Sequence, residues 1–167
     1  VNSFLCSSNS LRSLEGCPEV FDDFCCDDNK LLSLDGCPKE LIGEFRCSNN
    51  QLTSLRGGPN SVGSHFDCRY NQLRSLEGCP KVGDDLYCQN NQLISLEGGP
   101  SNVGGNLYCN GNPILEIYQL FGSYKEFIDS LDYSYLRGTT IDRKRFKEAL
   151  EEIGKKPPIR IEGYIYT

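Results

Sequence analysis

The stretch Phe66-Asp67-Cys68-Arg69-Tyr70-Asn71-Gln72-Leu73-Arg74-Ser75-Leu76 recurs along the chain, with its apolar, Cys and Asn positions held and the others free to change. Counted on the cysteine, Cys6, Cys26, Cys47, Cys68, Cys88 and Cys109 stand 20, 21, 21, 20 and 21 residues apart, the signature of an array. Two residues before each comes Phe4, Phe24, Phe45, Phe66, Leu86 or Leu107. Three after comes Asn9, Asn29, Asn50, Asn71, Asn91 or Asn112, and five after comes Leu11, Leu31, Leu52, Leu73, Leu93 or Ile114. Eight after comes Leu14, Leu34, Leu55, Leu76, Leu96 or Ile117. A Gly then precedes Cys-Pro or Gly-Pro, as in Gly36-Cys37-Pro38 and Gly57-Gly58-Pro59, and each unit ends on Val20, Leu41, Val62, Val82 or Val103.

Around each Cys, apolar and polar residues alternate with period two, which predicts a short strand with one buried face. The Asn after it can bond neighbouring backbone and close the turn, while Gly and Pro forbid a regular helix and favour an extended or polyproline-like return. One unit buries almost nothing alone, so consecutive units must share a core. Residues 1–113 are therefore expected to be an array of about six units of 20–21 residues. The first apolar position holds Val1, Phe21 and Ile42 early on but Gly63, Gly83 and Gly104 later, where packing loosens or backbones close in.

The frame (F/L)-x-C-x-x-N-x-L-x-x-L resembles the leucine-rich repeat, L-x-x-L-x-L-x-x-N-x-L, with Cys at the third apolar position, over residues 1 to about 117. The run Cys47-Ser48-Asn49-Asn50-Gln51-Leu52-Thr53-Ser54-Leu55 is similar to those of short leucine-rich-repeat proteins encoded by tailed bacteriophages and some bacteria. The resemblance implies a leucine-rich-repeat solenoid: short parallel β-strands on a concave face, an irregular or polyproline-like convex side, and a small α-helical C-terminal cap. It also implies a phage protein that binds or inhibits a host protein such as a defence or metabolic enzyme, and the expected function is a non-enzymatic protein-protein interaction module in the host cytoplasm that recognises its partner through the concave face and the C-terminal cap. Bacterial effectors with similar repeats carry a ubiquitin-ligase domain with a catalytic Cys; residues 114–167 contain none, so that activity is not carried over.

The six periodic thiols should form one inward column along parallel strands about 4.8 Å apart. Strands in register aim their Cβ atoms the same way, which suits a small buried hydrophobe and not the directional geometry of a disulfide. Cys17, Cys37 and Cys79 share a turn position with Gly58 and Gly99, so small size is the demand there. Cys25, beside Cys26, should point outward as an exposed, oxidisable thiol. With no C-x-x-C pair and His65 as the single His, no metal or other cofactor is expected, and free thiols point to a reducing compartment.

Residues flanking each Cys should line the open face of the strands. The candidate partner contacts are Arg46, His65, Asp67, Arg69, Tyr70, Asp85, Tyr87, Gln89, Tyr108 and Asn110, with an acidic cluster of Asp22, Asp23, Asp27, Asp28 and Glu44 at one end. Tyr and Arg anchor protein interfaces because they bury much area for little lost rotamer freedom. A protein partner is the expectation; the alternative is a small ligand held by the Tyr and Arg patch. The pairs Asp22-Asp23 and Asp84-Asp85 occupy equivalent positions, which marks them as repeated surface and not as an acid/base pair. No catalytic residue is expected, since one His at a variable position makes a weak triad and no phosphate-binding Gly loop with Lys is present.

After Pro113 the period stops. Ile117, Leu120, Phe121, Tyr124, Ile128 and Leu131 follow helical spacing, with Ser123 and Glu126 as a capping box, and Phe146, Ala149, Leu150 and Ile153 mark a second helix entered near Thr140 and ended by Gly154. Residues 132–138 read as a loop, and the tail from Ile159 to Tyr166 fits an added strand or a segment lying along the helices. Such a segment would cap the array, and Arg143, Lys144, Arg145 and Lys147 would form a solvated helix face. Lys plus Arg number 17 against 23 Asp plus Glu, a net charge of −6 that argues against nucleic acid and anionic membranes as partners. No apolar run approaches the roughly 20 residues that span a bilayer.

Overall fold

The computed structural model describes residues 2–101, 103–121, 124–130, 136–137, 140–161 and 164–167, and the chain divides into two compact units, Val1–Asn112 and Pro113–Thr167. Val1, the Ser123 cap, Leu131, and residues 132–135 and 138 of the expected loop lie outside the described residues; Leu136–Arg137, expected in that loop, instead form a strand paired antiparallel with Thr140–Ile141.

The first unit is built from two-residue parallel strands. They are β1 (Phe4–Leu5), β2 (Phe24–Cys25), β3 (Glu40–Leu41), β4 (Phe45–Arg46), β5 (Ser61–Val62), β6 (Phe66–Asp67), β7 (Lys81–Val82), β8 (Leu86–Tyr87) and β9 (Leu107–Tyr108). A six-stranded sheet runs β1-β2-β4-β6-β8-β9 with equivalent residues opposite one another, as Phe45 pairs with Phe66 and Arg46 with Asp67. A second parallel sheet, β3-β5-β7, continues through a bridge between Val82 and Val103. The sequence leads to an irregular return there. Instead the apolar residues ending each unit stack closely enough for their backbones to pair, Leu41 on Val62 on Val82.

Register turns each apolar position into a column. Phe4, Phe24, Phe45 and Phe66 lie with ring centroids 5.5, 5.3 and 5.7 Å apart, and Leu86 and Leu107 continue their line. Leu31, Leu52, Leu73 and Leu93 are fully buried, and so are Leu14, Leu34, Leu55 and Leu76. Burial of each such side chain stabilises by about 1.5–3 kcal/mol. The buried Asn column supplies the polar bonds. Asn71 donates from Nδ2 to the carbonyls of Cys47 and Cys68 at 3.0 and 3.2 Å, and its Oδ1 accepts the Leu52 amide at 2.9 Å. Asn29, Asn50, Asn91 and Asn112 repeat the pattern.

All ten cysteines are free thiols, and several donate weakly to the next strand, as Cys26 does to the Arg46 carbonyl and Cys68 to that of Tyr87. Burial pushes every thiol above its ordinary 9.0: Cys6, Cys25 and Cys37 to about 11, Cys109 to about 12, Cys17 upward, and Cys26, Cys47, Cys68, Cys79 and Cys88 well up. Cys25 departs from its expected place. It is only 6% exposed, with its Sγ 3.9 Å from the Glu44 carboxylate, so burial first and that neighbouring charge second hold it protonated. Phe21 and Ile42 also differ, being 67% and 76% exposed, so their position is not part of the core. At the equivalent Gly63, Gly83 and Gly104 the backbones close in. A Cβ there would stand 2.4, 2.2 and 2.0 Å from the carbonyl oxygens of Ile42, Gly63 and Gly83.

Units of 20 and 21 residues differ at one link. From each strand to its proline the spacing is fixed, and the extra residue falls between the proline and the next apolar position, as Pro59-Asn60-Ser61-Val62 against Pro80-Lys81-Val82 shows. Asn60 and Lys81 are both exposed.

The second unit contains α1 (Leu115–Tyr118), α2 (Tyr124–Ser130), β10 (Leu136–Arg137), β11 (Thr140–Ile141), α3 (Arg143–Glu152) and β12 (Ile165–Tyr166). Helix α3 starts at Asp142, whose side chain accepts the Arg145 amide at 3.0 Å, while Thr140 belongs to a strand. Strand β12 pairs parallel with β11, so the tail adds a strand. Phe127, Phe146, Leu150 and Ile141 are fully buried, and Arg143, Lys144, Arg145 and Lys147 are exposed. No helix among the described residues is long and apolar enough to cross a membrane.

Three outcomes follow from these contacts. Asn71→Ala leaves the Leu52 amide without its partner and removes one of two donors from each of the Cys47 and Cys68 carbonyls, and should lower stability by about 2 kcal/mol in urea unfolding, whereas Asn9→Ala, at an exposed position, should cost about 1 kcal/mol or less. Unfolded thiols lose protons near pH 9 and folded ones hold them to about 11 or beyond, so stability is intact below about pH 9 and falls as pH rises above it. At about pH 8 a thiol moved from 9.0 to about 11 carries roughly a hundredth of the thiolate, so native-state alkylation should be slowed accordingly and restored by denaturant.

Candidate functional site

Because strands alternate their faces, the residue after each buried Phe or Leu turns to the opposite side of the six-stranded sheet. Register makes these one row: Leu5, Cys25, Arg46, Asp67, Tyr87 and Tyr108. The residues after each Cys add Arg69, Gln89 and Asn110.

At the N-terminal end of the row, Asp27 is buried and fully bonded. Its carboxylate accepts from Ser7 Oγ at 3.2 Å and from the Ser48 amide and hydroxyl at 3.1 and 2.8 Å, and Arg46 Nε lies 3.2 Å away. Arg46 also lies 3.6 Å from Glu44. Asp27 is a buried organising acid that the sequence shows only as one charge in an acidic cluster.

In the middle, Asp67 is buried as well, and Arg69 clamps it with two charge-assisted bonds, Nε to Oδ1 at 2.9 Å and Nη2 to Oδ2 at 2.6 Å. The same guanidinium lies 5.3 Å from the Tyr87 ring centroid. Tyr87 stacks on Tyr108 at 4.9 Å and 5°, and meets the His65 ring edge-on at 5.8 Å. Its hydroxyl donates to Asp85 Oδ2 at 2.9 Å. The Asn106 amide, first, and this hydroxyl, second, hold the Asp85 carboxyl below its usual range, and the bond to Asp85 raises the Tyr87 phenol. His65, Asp67, Arg69, Asp85, Tyr87 and Tyr108 thus form one connected cluster across β6, β8 and β9. Arg46 turns away from it to Asp27. Asn110 is exposed, and Gln89 Oε1 is buried with no hydrogen bond.

Tyr70 is exposed and held at φ +53°. The equivalent residues Ser8, Asp28, Asn49, Asn90 and Gly111 share this left-handed conformation, which small polar residues and Gly tolerate and a bulky side chain resists. Tyr70 is the one aromatic at that position, displayed against its backbone preference. Asp84, absent from the candidate contacts read from the sequence, joins the cluster through His65 at 3.6 Å.

The strain at Tyr70 has a measurable sign. Tyr70→Asn should stabilise the fold by about 0.5–1 kcal/mol in thermal unfolding, since Asn accepts this backbone conformation more readily. Comparison with protein-family models, curated proteins and solved structures finds no match to the chain.

Proposed function

We propose that the chain is a leucine-rich-repeat module whose concave strand face binds another protein without catalysis, and that it serves as a phage-type binder or inhibitor of a host protein in a reducing cytoplasm. The repeat reading is supported by the 20- and 21-residue period, the in-register parallel pairing and the Asn bonds that recur in every unit. The observation that carries the binding reading is the Arg69–Tyr87–Tyr108 stack. Cation and rings are ordered before any partner arrives, so little rotamer entropy remains to be lost on contact. A bulky Tyr70 kept in a strained conformation beside Arg69 fits a residue displayed for contact. Thiols pushed above their ordinary value argue against thiolate catalysis, because thiolate nucleophiles need the opposite shift.

Arg69 also neutralises buried Asp67, so its removal would disturb the fold along with the face. Tyr87 and Tyr108 are the cleaner probes. Affinity capture of the tagged chain from a reducing bacterial lysate should yield a stoichiometric protein, and Tyr87→Ala and Tyr108→Ala should each weaken that complex by about 1–2 kcal/mol, roughly 5- to 30-fold in Kd, with the fold retained. Unchanged binding in both variants would place the interface elsewhere. An empty capture, together with a small ligand that raises the melting temperature, would replace the protein partner with a ligand.

A further inference from the structure

We propose that His65, Asp84 and Asp85 bind one borderline divalent cation of the Zn2+ class. This goes beyond the partner-binding reading and does not depend on it.

The three side chains come from two consecutive sequence units that register sets side by side. His65 Nδ1 stands 3.6 Å from Asp84 Oδ2 and 3.7 Å from Asp85 Oδ2, and one ligand atom from each residue falls within 4.8 Å of the other two. Zinc bonds of about 2.0–2.2 Å to nitrogen and oxygen separate neighbouring ligands in a tetrahedron by roughly 3.3–3.5 Å, so both His–Asp spacings close with small side-chain shifts.

Charge supplies a second, independent reason. Elsewhere on this face Asp27 and Glu44 share Arg46, and Asp67 has Arg69. Among the described residues, no Lys or Arg lies within ion-pair distance of Asp84 or Asp85; their neighbour is His65. His65 Nδ1 accepts the Asp85 amide at 3.3 Å, so its one lone pair is turned toward this pair of residues and a metal ion taking it would displace that bond. Two carboxylates beside an imidazole, with no Lys or Arg in reach among the described residues, are a ligand set whose charge a metal ion would neutralise.

The surroundings suit a ligand set. Asp85 is held in place by the Asn106 amide at 2.8 Å and the Tyr87 hydroxyl at 2.9 Å, the kind of outer bond that aims a metal-binding carboxylate. Imidazole disfavours Ca2+ and Mg2+, which take oxygen ligands, and selects Zn2+, Co2+ or Ni2+. Three protein ligands on a partly exposed site leave a coordination position open to water. At the equivalent pair Asp22-Asp23 the place of His65 is taken by Ser3, so the chain contains its own control.

The test is Co2+ titration of the reduced, full chain followed by its visible absorbance, with Zn2+ as competitor. His65→Asn removes the imidazole and keeps a side-chain acceptor for the Asp85 amide, as Ser3 and Asp23 provide at equivalent positions. The expected result is one Co2+ per chain, displaced by Zn2+, with affinity reduced at least about tenfold by His65→Asn and by Asp84→Asn and unchanged by Asp22→Asn. Circular dichroism confirms that each variant is folded. No saturable Co2+ binding, binding untouched by His65→Asn, or a thiolate-to-metal charge-transfer band would each overturn the proposal.

Discussion

Asn71 reaches the Cys47 carbonyl with its amide nitrogen and takes the Leu52 amide with its oxygen, so one buried side chain fastens a unit to the one before it. Neither group has a strand partner available at the turn; the Cys47 carbonyl also accepts from Asn50, but the Leu52 amide depends on Asn71, and leaving it buried and unpaired costs more than the bond itself contributes. The bond is satisfied only when consecutive turns share the same conformation, which explains why φ at the preceding residue stays between +52° and +58° from Ser8 to Asn90. That repeated turn sets the strand register, and the register sets the Phe, Leu and Cys columns.

An interior fixed this way leaves the opposite face free to vary. Strands two residues long turn one side chain each to this face, and the next residue in the row stands one strand spacing away. Side chains from distant parts of the sequence therefore meet as if placed on a grid: Asp67 opposite Tyr87, Tyr87 opposite Tyr108. Where a carboxylate on this face is buried, as Asp27 and Asp67 are, an Arg pairs with it, because an uncompensated buried charge would undo the packing. Where carboxylates stay near solvent, as at Asp84, that pressure relaxes.

The parallel strands and their columns were legible in the sequence because spacing alone determines them. Three features were not. The exposed Phe21 and Ile42 look like core residues when only hydropathy is counted, yet the backbone there runs past the end of the shared interior. Cys25 looks exposed from strand alternation, but Glu44 and its neighbours cover a side chain as short as Cys. The His65 and Asp84 approach depends on side-chain rotamers across two strands, and no spacing rule carries it. The candidate contacts were legible as a list; the sequence could not separate Arg46, tied to Asp27, from the connected cluster around Tyr87.

The extra residue that distinguishes a 21-residue unit from a 20-residue one always falls just after the proline. Everywhere else an added residue would shift an Asn, a Cys or a Phe out of its column and break two units at once. The chain thus contains one permissive seam per unit, on the exposed stretch that carries Lys39, Asn60 and Lys81. Codons gained by a gene, or a reporter loop inserted by an engineer, would be absorbed at these seams while the grid of side chains on the six-stranded sheet kept its spacing.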